Sequence, residues 1–115
     1  MVEDRTYKQG SIIWLDFSPQ AGHEQAGRRP AVIISNDTTN ALLNNRAMVC
    51  PITTTNKHLA LQPELDNRTT TQGVVLCDQA RILDLDARHA EYIEALPADI
   101  LSEVVDIVFG MIEIE

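Results

Sequence analysis

The feature that most constrains the fold is a single helical stripe at the end of the chain. Ile100, Leu101, Val104, Val105, Val108, Met111 and Ile112 recur at three- and four-residue steps, while Glu103, Asp106 and Glu113 fall on the opposite face. Pro97 suits the first turn of such a helix, and Asp99 suits its positive dipole end. Almost everything before Pro97 is divided into short runs of strand-compatible residues. Ser11–Phe17 is bounded by Gly10 and by Ser18-Pro19, and Ala31–Ser35 is a continuous apolar run. Asn36-Asp37 then offers a cap for a turn or two of helix over 38–43. Arg46–Thr53 reads as the next strand, with Pro51 predicting a bulge or an edge position. A weaker strand is expected over 58–62, a polar loop over 63–72, and one long or bent strand region over 73–85. A last strand is expected over 89–95. The pattern predicts a mainly β (α+β) fold: a small, strongly curved sheet or barrel with a short internal helix and a C-terminal helix. A chain of 115 residues forms one domain, here residues 1–115.

No apolar run approaches the roughly 20 residues of a membrane span, and the polar start Met1-Val2-Glu3-Asp4-Arg5 does not read as a signal peptide. A cytoplasmic location is therefore expected. Cys50 and Cys77 sit in apolar runs and read as small core residues on strands, with no clustered Cys/His spacing for zinc. The expected compartment argues against a disulfide between them. Trp14, on the first strand, reads as core.

The formal net charge is −8, from 17 acidic and 9 basic residues, the wrong sign for a general nucleic-acid binder. Its distribution matters more. Residues 84–115 carry nine acids against one base, Arg88, while residues 1–83 carry eight of each. The surplus lies toward the C-terminus and leaves the rest free to attract an anion locally. The strongest local candidate is Gly22-His23-Glu24-Gln25-Ala26-Gly27-Arg28-Arg29-Pro30. Pro30 pushes the Arg29 backbone toward the extended region. A guanidinium restrained there, near a carboxylate, suits the grip of a phosphate or carboxylate.

Gly10-Ser11-Ile12-Ile13-Trp14-Leu15-Asp16-Phe17, the loop from Gly22 to Pro30, Cys50-Pro51-Ile52-Thr53-Thr54 and Gly73–Arg81 occur in one order along nearly the whole chain. In these blocks the sequence resembles the MazF/PemK family of toxins, and Glu-Gln-x-Gly-x-Arg-Pro after a strand is the most specific of them. The resemblance implies an SH3-like barrel of antiparallel strands that forms a homodimer. It also implies a ribosome-independent endoribonuclease cutting single-stranded RNA at a short sequence, and a cognate MazE-like antitoxin whose tail covers the RNA groove. The reaction it implies is attack of the ribose 2′-hydroxyl on the adjacent phosphate, leaving a 2′,3′-cyclic phosphate and a 5′-hydroxyl, with no metal or other cofactor. The catalytic residues it implies are Arg29 and Thr53, supported by Glu24. The RNA-binding positions expected with it are His23, Gln25, Arg28, Thr54, Gln79 and Arg81, with His23 reading equally as a solvated loop histidine.

Read as chemistry, these assignments have a definite shape. His23, His58 and His89 show no spacing that converges on a two-histidine mechanism. The Arg29 fork can take two phosphate oxygens but is a poor proton donor, so its expected role is to neutralise developing charge. Thr53 would donate a hydroxyl hydrogen bond, and Glu24 would either orient Arg29 or act as base. Gln79 and Arg81, two apart, are expected on one strand face; Arg81 either meets RNA there or pairs with Asp78 or Asp84. Thr53-Thr54-Thr55 taken without the resemblance is equally a strand entering a loop. The sequence departs from the family's habit in two respects: Asn56–Leu61 contains no aromatic residue where a Phe- or Tyr-containing strand is usual, and the acidic balance is less usual for an RNA-cutting toxin. Two other functions stay open, a CcdB-like protein that traps gyrase and a homologue that binds antitoxin without cutting RNA.

Overall fold

A computed structural model describes residues 7–18 and 27–115. Six strands appear in the order β1 Ser11–Asp16, β2 Arg28–Ile33, β3 Arg46–Thr53, β4 Val74–Val75, β5 Arg81–Asp84 and β6 Glu91–Ala95. Helix α1, Asp37–Leu43, lies between β2 and β3; helix α2, Ala98–Ile112, ends the chain. All pairings are antiparallel, and the sheet runs β4-β3-β2-β1-β6 with β5 also paired to β3. The expected architecture is present, but the sheet curves without closing. Among the described residues no ladder joins β6 to β4 or β5. A register shift between Ile12 and Ile13 opposite β6 adds local bend.

Strand alternation sends two separate apolar sets to the two faces. Ile12, Val32, Ile34, Cys50 and Ile52 pack with Ile100 and Val104 of α2. Ile13, Leu15, Phe17, Ala31, Ile33 and Val49 form a second core with Leu83 and Leu85. Ile13 and Leu15 are at most 2% exposed, yet Trp14 between them is 42% exposed. The expectation that Trp14 is core fails for a physical reason. Trp14 shares the face of Ile12, but α2 covers that face only as far as Ile12. Along α2, Leu101, Val105 and Val108 are half-buried, whereas Met111 and Ile112 extend the stripe beyond the sheet. Pro97 stands at the N-cap position of α2, just before its first turn and without a side-chain capping bond, whereas Asn36 caps α1 by accepting from the Thr39 N–H at 2.9 Å.

Four other expectations are corrected. β3 runs unbroken through Pro51 and is central rather than an edge: it pairs with β2 on one side and with β5 and β4 on the other. The Pro51 carbonyl accepts from Leu76 N–H, so its nitrogen points into the gap where β3 changes partner from β5 to β4, and no ladder bond is lost. Residues 58–62 form no strand; His58 has a φ of 55°, and a turn closes from Gln62 N–H to the Leu59 carbonyl. Region 73–85 is divided by a 3-10 turn, Cys77–Gln79, between β4 and β5. Cys77 therefore lies in a turn rather than a strand. It is a free thiol buried beside the free thiol of Cys50, whose pKa is pushed up by their hydrogen bond and by burial, so the Cys50 thiol resists ionisation.

Gly73 returns the loop to β4 with a φ of +122°, and a Cβ there would lie 2.1 Å from the Thr53 carbonyl oxygen. Gly73→Ala is therefore expected to destabilise the protein by more than the roughly 1–3 kcal/mol of backbone strain alone, because Thr53 must also shift. Urea unfolding of the variant checks this.

Candidate active site at the end of the β2–β3 ladder

The β2–β3 register pairs Ile33 with Val49, Val32 with Cys50 and Ala31 with Pro51, and then stops. Alternation points the next nitrogen, that of Pro30, toward β3, and proline has no N–H to donate across the pair. Two further steps of the same register set Arg29 opposite Thr53, on one face of two strands no longer laced together. Arg29 is meanwhile held by β1, where it pairs with Leu15. The sequence thus opens a cleft between two residues that it also aligns.

Two cavities meet at this opening, and Arg29, Thr53 and Thr54 line both. The first, of about 470 Å³, has an apolar floor of Trp14, Pro30, Ile52 and Ile93 and a wall of Thr70, Thr71 and Gln72. The second, of about 560 Å³, is polar: Thr55, Lys57, Gln62, Asp78 and Gln79 line it. Thr53 is 9% exposed, and its hydroxyl oxygen accepts from the Thr55 N–H at 3.2 Å, which leaves the hydroxyl proton to donate.

The two adjacent arginines prove unequal. Arg28 also lines the first cavity, but its guanidinium donates to Asp16 Oδ1 at 3.1 Å, Glu91 Oε1 at 2.6 Å and the His89 carbonyl at 2.8 Å. Asp16 in turn contacts His89 Nδ1 at 2.8 Å, and His89 and Arg28 together hold its carboxyl below the usual range. Arg88 donates to the carbonyls of Asp16 and Ser18, fixing the chain where the loop departs. Arg28 is thus a fastening of the strand ends, and Arg29 is the arginine at the junction of the cavities. His23, Glu24 and Gln25 lie outside the described residues. Gln79 sits in the 3-10 turn facing the second cavity. Arg81 begins β5, and its guanidinium lies over the Phe17 ring, 5.6 Å from the centroid, lining neither cavity. The expectation of one shared strand face for Gln79 and Arg81 fails because the turn rotates Gln79 away from the strand direction. Among the described residues no group of three or more His, Cys, Asp or Glu is arranged to hold a metal ion, and no helix is long and apolar enough to cross a membrane.

Sequence reading missed Trp14 and the wall at 70–72. The wall is fixed from both ends. Glu94 of β6 accepts from the N–H and hydroxyl of Thr70 at 3.1 and 2.9 Å, and from those of Thr71 at 2.8 and 2.7 Å. Arg68 bridges Asp66 and the first turn of α2 at Asp99, with its shortest contact to each at 2.8 Å. A glutamate on a strand facing a run of threonines gave no sequence signal, because its partners are 23 and 24 residues away.

The chain as a whole is similar to known proteins. A family model described as PemK-like, MazF-like toxin of type II toxin-antitoxin system matches residues 8–108. The chain belongs to this family. An Escherichia coli K12 relative, "Endoribonuclease toxin MazF", is 37% identical over 93 residues, covering 78% of this chain and 79% of the relative. The crystal structure of MazF from Deinococcus radiodurans superposes with a TM-score of 0.87 at 38% identity, over 94% of this chain and 97% of that one. A MazE-MazF structure from the same organism gives 0.81 at 30% identity, over 97% and 100%.

Partial desolvation raises the affinity of Glu94 for a proton, but the hydrogen bonds from Thr71 and Thr70 together outweigh it and bring the pKa down to about 2. A depressed carboxylate contributes stability that is present above its unfolded value near 4.5 and is lost as pH falls toward 2. Melting temperature should accordingly drop between those pH values in the wild type, and less steeply in Glu94→Gln. Thermal unfolding measured across that range checks the difference.

Proposed function

We propose that this protein is a cytoplasmic, homodimeric endoribonuclease toxin of a type II toxin–antitoxin system, with residues 1–115 acting as one toxin domain. The observation that carries this reading is the alignment of Arg29 with Thr53 at the junction of two cavities, in a chain of the PemK/MazF family. A single-stranded RNA laid through both cavities would set one phosphate over this pair. Support for RNA as substrate comes from the relatives named as endoribonucleases. Support for an antitoxin partner comes from the MazE-MazF structures of similar fold.

The proposed chemistry follows from the groups present. The 2′-hydroxyl gives up its proton and attacks the neighbouring phosphorus, and the bond to the 5′-oxygen breaks as that oxygen takes a proton from water, giving a 2′,3′-cyclic phosphate and a 5′-hydroxyl. Charge builds on the non-bridging oxygens, where the Arg29 fork can take two hydrogen bonds and the Thr53 hydroxyl a third. Thr53 is pre-set for this because its oxygen is already engaged by Thr55 N–H. A guanidinium is a poor proton donor, so the contribution of Arg29 in this reading is electrostatic. Glu24 orients Arg29 or accepts the 2′-hydroxyl proton. Arg28 holds the strand end that presents Arg29 and lines the first cavity, and it is an RNA-binding position of this reading together with His23, Gln25, Thr54, Gln79 and Arg81. None of these steps calls on a metal.

Incubation with a long unstructured RNA, followed by mapping of the 5′ ends, tests the proposal. Cuts at one short recurring sequence with 5′-hydroxyl ends are expected, unchanged in EDTA and slowed roughly a hundred- to a thousand-fold by Arg29→Ala. Intact RNA from the folded wild type, or an Arg29→Ala rate within a few-fold of wild type, would refute it. Poisoning of gyrase with intact RNA would instead favour the CcdB-like function.

A further inference from the structure

We infer that Trp14 is the stacking platform for an unpaired nucleobase next to the phosphate held at Arg29 and Thr53. This inference rests on the endoribonuclease reading above. Four observations carry it.

The indole is 42% exposed, whereas the residues before and after it on the strand, which point to the opposite face, are at most 2% exposed. Pro30 lies directly across the sheet from it in register, and Ile52 and Ile93 complete an apolar floor. The cavity of about 470 Å³ falls within the rough 300–1,000 Å³ range of small-ligand sites. Its charged lining residues are Arg28, which Asp16 and Glu91 hold, and Arg29, with no carboxylate in the lining itself, in a chain of net charge −8. An occupant with a flat apolar face and an attached anion matches that combination.

Of the five aromatic side chains in the sequence, Trp14 alone lines either cavity. Phe17 is buried under Arg81, Tyr7 bonds Asp86, and Tyr92 and Phe109 are exposed elsewhere. Asn56–Leu61 offers no ring, so the stacking surface a single strand requires falls to β1. Every base has a π-face, so Trp14 supplies affinity and placement. The polar second cavity, with Gln62, Asp78 and Gln79, supplies hydrogen-bonding groups that can tell one base from another.

Trp14 is the sole tryptophan, which makes its emission a probe of this one site. The folded wild-type protein is titrated with a 2′-O-methyl oligoribonucleotide, which lacks the attacking hydroxyl, and with an abasic strand of equal length. Quenching by the first and not by the second is expected. In RNA cleavage, Trp14→Leu should raise KM about ten- to a hundred-fold with kcat within a few-fold, while Trp14→Phe stays near wild type and both melt as the wild type does. An unchanged KM in a folded Trp14→Leu, or emission indifferent to both oligonucleotides, overturns the inference. Emission that responds to an acidic, apolar-rich peptide and to neither strand overturns it as well, assigning the pocket to a protein partner. Quenching by the base-containing strand without any cutting of RNA upholds it and refutes the endoribonuclease reading instead.

Discussion

The β2–β3 register is the constraint on which the rest of the site depends. It brings Arg29 and Thr53, 24 residues apart, to facing positions, and it ends at Pro30, whose ring nitrogen has no proton to offer β3. A single proline therefore separates alignment from closure. Pro51 avoids the same disruption because its nitrogen faces the place where β3 exchanges β5 for β4.

Around that opening the fold divides its tasks by face. The alternating sets on β1, β2 and β3 build two cores, and both are needed to hold the strands rigid while one end of the ladder is left apart. Charges are then placed where water can screen their mutual repulsion. Arg28 joins β1, β2 and β6 through Asp16 and Glu91, and its neighbour Arg29 is thereby presented on a fixed strand end. The acidic excess of the C-terminal region is in part consumed in such fastenings, through Glu91, Glu94 and Asp99.

Much of this was legible in the chain. The helical period of α2, the Asn36 cap and the eight residues of β3 are all local patterns, and each occurs in the structure. Strand β2, by contrast, begins at Arg28, inside the expected arginine loop, and ends at Ile33 rather than Ser35. The pairing of Arg29 with Thr53 was legible only through family resemblance, because register is a long-range property that no local spacing encodes. Trp14 was misread for a related reason. Its strand is apolar on both faces, and the sequence of β1 carries no mark of where α2 stops covering it. The segment 58–62 showed strand-compatible residues, but the positive φ at His58 and the turn after it override a weak propensity. The 3-10 turn at Cys77 lies inside an apolar run that looks continuous on paper.

The segment carrying Thr70 and Thr71 is moored twice, to β6 through Glu94 and to the start of α2 through Arg68 and Asp99. A wall carried jointly by a sheet and a helix cannot swing like a lid. Its spacing from Trp14 is a dimension of the fold itself, so the cleft behaves as a fixed gauge. Whatever strand enters must match its width, and any change in how α2 sits on the sheet is felt directly as a change in that width.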